Sequence, residues 1–186
     1  DPADFNNIDE PTSELKSISY IGSLSESYPI QRFISAFKLL CKSSPEWQLK
    51  YVGNISESTK DLIKDNQLER NTKFIPYAPH NEAIKHMLSS DLLLLIIPKT
   101  EQNKGILTGK LFEYIASRRP ILFIGPIDGD AALILSEFEN AVLLDYTDDI
   151  DLYEITRKLA NQRSNSNLIN KYSRISQTDR IAQLID

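Results

Sequence analysis

The sequence of 186 residues contains a single cysteine, Cys41. No internal disulfide and no cysteine-based zinc site can be built from it, which excludes a disulfide-framed secreted scaffold and suits a reducing compartment. An excess of basic charge is also missing. The 21 lysines and arginines stand against 26 acids, for a net charge of −5. A nucleic-acid binder relying on a broad basic face is therefore disfavoured. Long hydrophobic runs are absent. The longest, Leu92-Leu93-Leu94-Leu95-Ile96-Ile97, is far shorter than the roughly 20 residues of a membrane-spanning helix. The opening Asp1-Pro2-Ala3-Asp4-Phe5 has neither a methionine nor a basic n-region. The expectation is an excised fragment of a longer, soluble, cytoplasmic protein. No internal repeat of solenoid period is visible. Serine, histidine and acid do not fall in a triad order, and neither a cluster with metal-ligand spacing nor a cysteine nucleophile stands out.

What is present is alternation of strand and helix. Ile18–Gly22, Gln48–Gly53, Thr72–Ile75, Asp91–Ile97, Pro120–Gly125 and Ala141–Leu144 read as strands. Between them, Pro29–Lys42, Ser56 to about Gln67, Pro79–Met87, Thr108–Ser117 and Asp128 to about Phe138 carry helical patterns. The polar remainder from about Asp148 is helical. The strand at Asp91–Ile97 is apolar on both faces, as in a parallel sheet covered by helices. The fold class is therefore α/β, a doubly wound parallel sheet of about six strands with helices on both faces. Ligands of such sheets bind outside the carboxyl ends of the strands. Residues 1–14 read as linker, 15–170 as the domain, and 171–186 as a terminal helix that packs on something beyond this chain.

The segment Lys104-Gly105-Ile106-Leu107-Thr108-Gly109-Lys110-Leu111-Phe112-Glu113-Tyr114 carries the chemistry. Thr108 suits an N-cap, and the Gly109 and Lys110 amides then lack helical partners. Free donors and the helix dipole together make an anion site. Lys99, Lys104 and Lys110 face one acid, Glu101, a local excess of two positive charges in an acidic chain. This suggests a phosphate. Glu113 shares the helix face of Gly109 and Lys110, with Leu111, Phe112 and Ile115 on the core side. It is placed either to accept hydrogen bonds from sugar hydroxyls next to that anion or to form a solvated pair with Lys110. Gly22-Ser23-Leu24 follows the first strand and can cradle phosphates, although GxGxxG and Walker patterns are lacking. His80 reads as a capping or turn residue and His86 as a surface helix residue. Asp128-Gly129-Asp130 reads as acids favoured by a helix start or as a cation site.

The run GILTGKLFEYIASRRPILFIGPIDGD resembles the nucleotide-sugar-binding half of GT-B glycosyltransferases, most of all the retaining group 1, or family four. In those enzymes a helix bearing a glutamate leads through Ala-x-x-x-Pro into the next strand, here Glu113-Tyr114-Ile115-Ala116 and Pro120-Ile121-Leu122. The resemblance covers about residues 1–147 and implies a Rossmann-like domain forming one half of a GT-B enzyme. It implies that Glu113 binds the ribose hydroxyls of a nucleotide diphosphate. The backbone at Leu107, Thr108 and Gly109 would meet diphosphate and sugar together with Lys110, Gly22-Ser23-Leu24 would face the phosphates, and Pro76 and Tyr77 the base. Gly105 stands where the family often has a sugar-contacting glutamate. Ser23 and Tyr28 stand where it often has first-loop cations, a task left to Lys110, Lys104 or Arg32. The resemblance further implies a nucleotide diphosphate sugar as substrate without metal or cofactor and a missing N-terminal acceptor domain that takes any acid or base of its own with it, the catalytic residues being unknown. It implies no nucleic-acid partner, peripheral membrane contact through the full-length protein, a part in bacterial surface-polysaccharide assembly, and an inactive isolated fragment. A non-catalytic nucleotide-binding or interaction module, or half of a GT-B sugar-nucleotide epimerase, remain as alternatives. An exposed apolar patch is expected where the missing domain docks.

Overall fold

In the computed structural model, residues 2–5, 16–160, 162 and 166–172 are described. Six parallel strands form one sheet: β1 (Ser17–Ile21), β2 (Gln48–Val52), β3 (Thr72–Ile75), β4 (Leu92–Ile96), β5 (Ile121–Ile124) and β6 (Ala141–Leu144). The strand order is β3-β2-β1-β4-β5-β6. The chain builds outward from β1 in one direction, then returns to β4 and builds in the other. Every strand-to-helix loop therefore emerges along one edge, with the topological switch between β1 and β4.

Helices cover both faces. Alternate residues of each central strand point to opposite layers. Tyr20, Leu94 and Ile96 pack with α1 (Gln31–Ser43), α2 (Glu57–Asp65) and α6 (Leu152–Leu159). Ile21, Leu93 and Leu95 pack with α3 (His80–Leu88), α4 (Gly109–Ser117) and α5 (Asp130–Leu135). A last short helix, α7 (Ser166–Lys171), adds Ile169 to the second layer. All five β4 residues are buried, the two-sided burial expected from its unbroken apolar run.

Local sequence accounts for most element ends. Ser56 caps α2 by accepting from the Thr59 amide at 3.4 Å. Asp151 caps α6 by accepting from the Glu154 amide at 3.0 Å. The helix expected over 128–138 is shorter, because Gly129 is the N-cap and Ser136 the C-cap of α5. Gly53 has φ +124, and a Cβ there would lie 2.7 Å from the Gly22 carbonyl oxygen, so the β1 and β2 loops approach this closely only because residue 53 is glycine. Within the stretch read as linker, Pro2–Phe5 forms a 3-10 turn and Phe5 is buried in the α3/α4 layer. The terminal helix expected over 171–186 lies outside the described residues beyond Tyr172.

Candidate functional site at the strand switch

The register of the two innermost strands opens the site. β1 and β4 pair only through Ile18–Leu92 and Ser19–Leu93, whereas β1 pairs with β2 through all five residues. Beyond Ser19 the two strands part toward the loop edge. The split deprives the Ile21 amide of a strand partner, and Tyr114 supplies one: its hydroxyl accepts from that amide at 2.9 Å. Tyr114 is fully buried, and burial holds its hydroxyl well above the ordinary phenol range. A residue five positions after the first of α4 thus satisfies the amide exposed where β1 and β4 part.

The β4–α4 loop supplies the crevice's donors. It runs through a 3-10 turn at Asn103–Gly105 and enters α4 with Thr108 as N-cap in extended geometry. The last amide of the turn, that of Ile106, donates to Asn103. The first amide spoken for in the helix, that of Leu111, donates to the Thr108 carbonyl. Among the described residues the amides of Leu107, Thr108, Gly109 and Lys110 have no acceptor. Four consecutive unpaired donors at a helix start favour an anion through both hydrogen bonding and dipole. The Thr108 side chain differs from expectation. Its hydroxyl makes no capping bond and is buried without a partner.

The three candidate cations separate clearly. Lys104 forms an ion pair with Asp128 and Arg32 with Asp149. The local positive excess read from residues 98–110 is thus partly cancelled by an acid from the next loop, and Asp128 is a counter-ion rather than one end of a cation site. Lys110 behaves otherwise. From α4 on one face of the sheet it crosses the loop edge to Tyr20 on the other. Its Nζ donates to the Tyr20 hydroxyl and lies 4.1 Å from that ring's centroid and 5.8 Å from the Tyr28 ring. The crossing uses the space left by Gly22, where a Cβ would lie 3.2 Å from Lys110 Cδ and 3.3 Å from Nζ. Among the described residues no carboxylate is within ion-pairing distance of this amine. Burial pushes the Lys110 amine down to about 8, against the opposing pull of the Glu113 charge.

Glu113 lies one turn further along α4. Its neighbours Leu111, Tyr114, Ile115 and Ala116 are buried, while its own side chain keeps 35 % of its surface exposed. The carboxylate therefore faces the loop edge and not the core. Phe112, expected on the core side, is instead 36 % exposed, with its ring 6.3 Å from that of Tyr172. The reason is angular: Leu111, Tyr114 and Ile115 already fill the inward arc of α4, and Phe112 falls outside it.

Other candidates contribute less than their positions suggest. In Gly22-Ser23-Leu24 the Gly22 amide donates to Val52 at 2.7 Å and the Leu24 amide to Asn54 at 2.9 Å. Leu24 is also buried in the core. This loop therefore presents to a phosphate the exposed Ser23 and the bare backbone of Gly22, not a ring of free amides. Gly105 borders open space, with nothing within 4 Å of an added Cβ, beside an open concavity of about 610 Å³ along Thr100–Ile106. Pro76 and Tyr77 follow β3 on the same edge, with Tyr77 78 % exposed. A separate cleft of about 520 Å³ lies at the opposite edge, lined by strand-entry residues including Lys16, Asp91 and Pro120. The loops beside the switch are braced by the Lys99 amide, which donates to Ser27 at 3.0 Å. The Tyr146 hydroxyl adds a bond to the Ile97 carbonyl at 3.2 Å. Leu107 and Ile127 stand exposed on this edge. Two features escaped sequence reading, the Tyr114 hydrogen bond and the direction of Lys110. His80 was read as a capping or turn residue, yet its ring nitrogens lie 3.8 Å from Glu113 Oε1 and 3.7 Å from Asp4 Oδ2.

Known structures share this architecture. A TarM variant of S. aureus, determined with UDP, fondaparinux and alpha-GlcNAc-glycerol, superposes with a TM-score of 0.65 at 18% identity over 98% of this chain and 38% of its own. HepE of Anabaena in complex with UDP-glucose gives 0.72 at 15% identity over 92% of this chain and 49% of its own. The C-terminal domain of LpcC from Francisella tularensis, a glycosyl transferase group 1 family protein, gives 0.61 at 19% identity over 84% of this chain and 85% of its own. The chain thus spans under half the length of the first two. No curated protein matches by sequence. The profile of the family described as glycosyl transferases group 1 matches residues 4–179. Since that match runs over nearly the whole sequence and the switch-point crevice lies within it, the chain belongs to the group 1 glycosyltransferases.

Proposed function

We propose that this chain is the C-terminal, donor-binding domain of a retaining, family-four GT-B glycosyltransferase. The complete enzyme would move a sugar from a nucleotide diphosphate to a saccharide or lipid-linked acceptor in bacterial polysaccharide assembly, in the cytoplasm. The observation that carries this reading is the row of four unpaired amides at 107–110, joined by Lys110 reaching across the switch and by Glu113 one turn inside. The amides and Lys110 receive the diphosphate and stabilise the charge that builds on it as the sugar departs. Glu113 accepts hydrogen bonds from the ribose hydroxyls. The open space beside Gly105 receives the sugar, and the exposed Tyr77 lies on the side of the base. The match along most of the LpcC C-terminal domain and the UDP-glucose held by HepE support the reading.

The acceptor site and any acid or base belong to the missing N-terminal domain, so the isolated chain is expected to bind nucleotide without turnover. The absence of a carboxylate at Gly105 favours one second reading, a non-catalytic nucleotide-binding module. Sugar transfer by the full-length protein would exclude it. Calorimetric titration of the chain with uridine and guanosine diphosphates tests the main reading. Saturable binding of one of them, weakened about tenfold or more in Glu113→Ala, is expected from loss of a charged acceptor worth about 1.5–3 kcal/mol. If neither nucleotide binds, or Glu113→Ala binds as tightly as the parent chain, the donor-site reading is overturned.

A further inference from the structure

The side chain of Glu113 meets an ionisable residue outside the proposed donor site. His80, the first residue of α3, lies between two carboxylates from different elements. Its Nδ1 is 3.8 Å from Glu113 Oε1 on α4, and its Nε2 is 3.7 Å from Asp4 Oδ2 in the Pro2–Phe5 turn. Among the described residues, no other cation stands within ion-pairing distance of Glu113. The side chains are about one-third to one-half exposed, so the cluster borders solvent at the loop edge. The turn is itself anchored, since Phe5 is buried against α3 and α4. Both contacts are at ion-pairing rather than hydrogen-bonding distance, so they attract the imidazole only as a charged ring.

We propose that His80 is a positioning residue for the donor site. Backed by Asp4, it fixes one oxygen of Glu113 and so aims the other at the ribose. An unrestrained glutamate samples several rotamers, and holding it in one removes an entropy cost that binding would otherwise bear. The role rests on the donor-site reading, and it makes the Pro2–Phe5 turn part of the nucleotide site's support.

The test is a double-mutant cycle read by calorimetry on the 186-residue chain, with uridine diphosphate and 2′-deoxyuridine diphosphate as probes. Guanosine diphosphate and its 2′-deoxy form replace them if the base preference lies there. His80→Ala is expected to weaken diphosphate binding about two- to tenfold, the range of a direct side-chain coupling, with no change in melting temperature. His80→Asn, which keeps a donor near Nδ1, is expected to recover part of that loss. In the Glu113→Gln background His80→Ala is expected to add little, and its penalty should shrink with the 2′-deoxy probe. A purely structural histidine would impose the same penalty on both probes and in both backgrounds, and that result overturns the proposal. So does unchanged binding in His80→Ala while Glu113→Gln binds weakly, which leaves the donor site standing. Absence of all nucleotide binding by the parent chain overturns both.

Discussion

Removing the Tyr114 hydroxyl tests the reasoning about the strand switch directly. In Tyr114→Phe the ring remains and no cavity larger than one oxygen is left. The Ile21 amide, which donates to that hydroxyl at 2.9 Å in a buried setting, loses its acceptor. β4 cannot replace it, because the strands have already parted beyond Ser19 and Leu93. Leaving a buried donor unsatisfied costs about 1–3 kcal/mol. For a domain of this size each kcal/mol lowers the melting midpoint by about 2–4 °C, so a fall of about 2–12 °C is expected. Urea denaturation should show a lower midpoint with an unchanged slope, since the surface exposed on unfolding is nearly the same. The loosened β1 end carries Gly22 and the seat of Lys110, so diphosphate affinity should fall as well. A midpoint within 1 °C of the parent, by about the same scaling, would refute the idea that Tyr114 satisfies the split.

Further outcomes follow at three positions of the site. The Lys110 amine is pushed down to about 8 by burial, so diphosphate affinity should fall as pH rises from 7 to 9, a dependence missing in Lys110→Met. The unfolded amine, near 10.5, holds its proton over a range where the folded one does not. Stability should therefore rise with pH between about 8 and 10.5, and this slope should vanish in Lys110→Met when both chains are compared by urea titration. Gly22→Ala places a Cβ at φ +120 and 3.2 Å from Lys110 Cδ. A loss of about 1–3 kcal/mol in stability, together with weaker diphosphate binding, should appear in denaturation and calorimetry. Gly105→Glu enters open space, so its stability should stay within about 0.5 kcal/mol of the parent. The ratio of nucleotide-sugar to nucleotide affinity should rise in the same variant if the new carboxylate reaches the sugar.

The alternation of short apolar strands with amphipathic helices was enough to read a doubly wound sheet, because the periods of two and 3.6 residues are written locally. The glutamate-bearing helix start was legible for the same reason: capping pattern, free amides and one-turn spacing are properties of adjacent residues. Phe112 was misplaced because the width of the buried arc on α4 depends on what faces it. Lys104, Lys110 and Arg32 were equivalent cations in one dimension. Asp128 and Asp149 neutralise two of them from loops 24 and 117 residues away.

The sequence by itself therefore determined the element types, the edge where the strand-to-helix loops gather and the segment whose free amides open α4, all consequences of local periodicity and helix-end chemistry. Tertiary structure alone decided which of Lys104, Lys110 and Arg32 has no carboxylate partner among the described residues, which tyrosine satisfies the amide exposed where β1 and β4 part, and that His80 touches Glu113. Those contacts join residues 33 to 93 positions apart, and only the strand order that brings β1 beside β4 makes them neighbours.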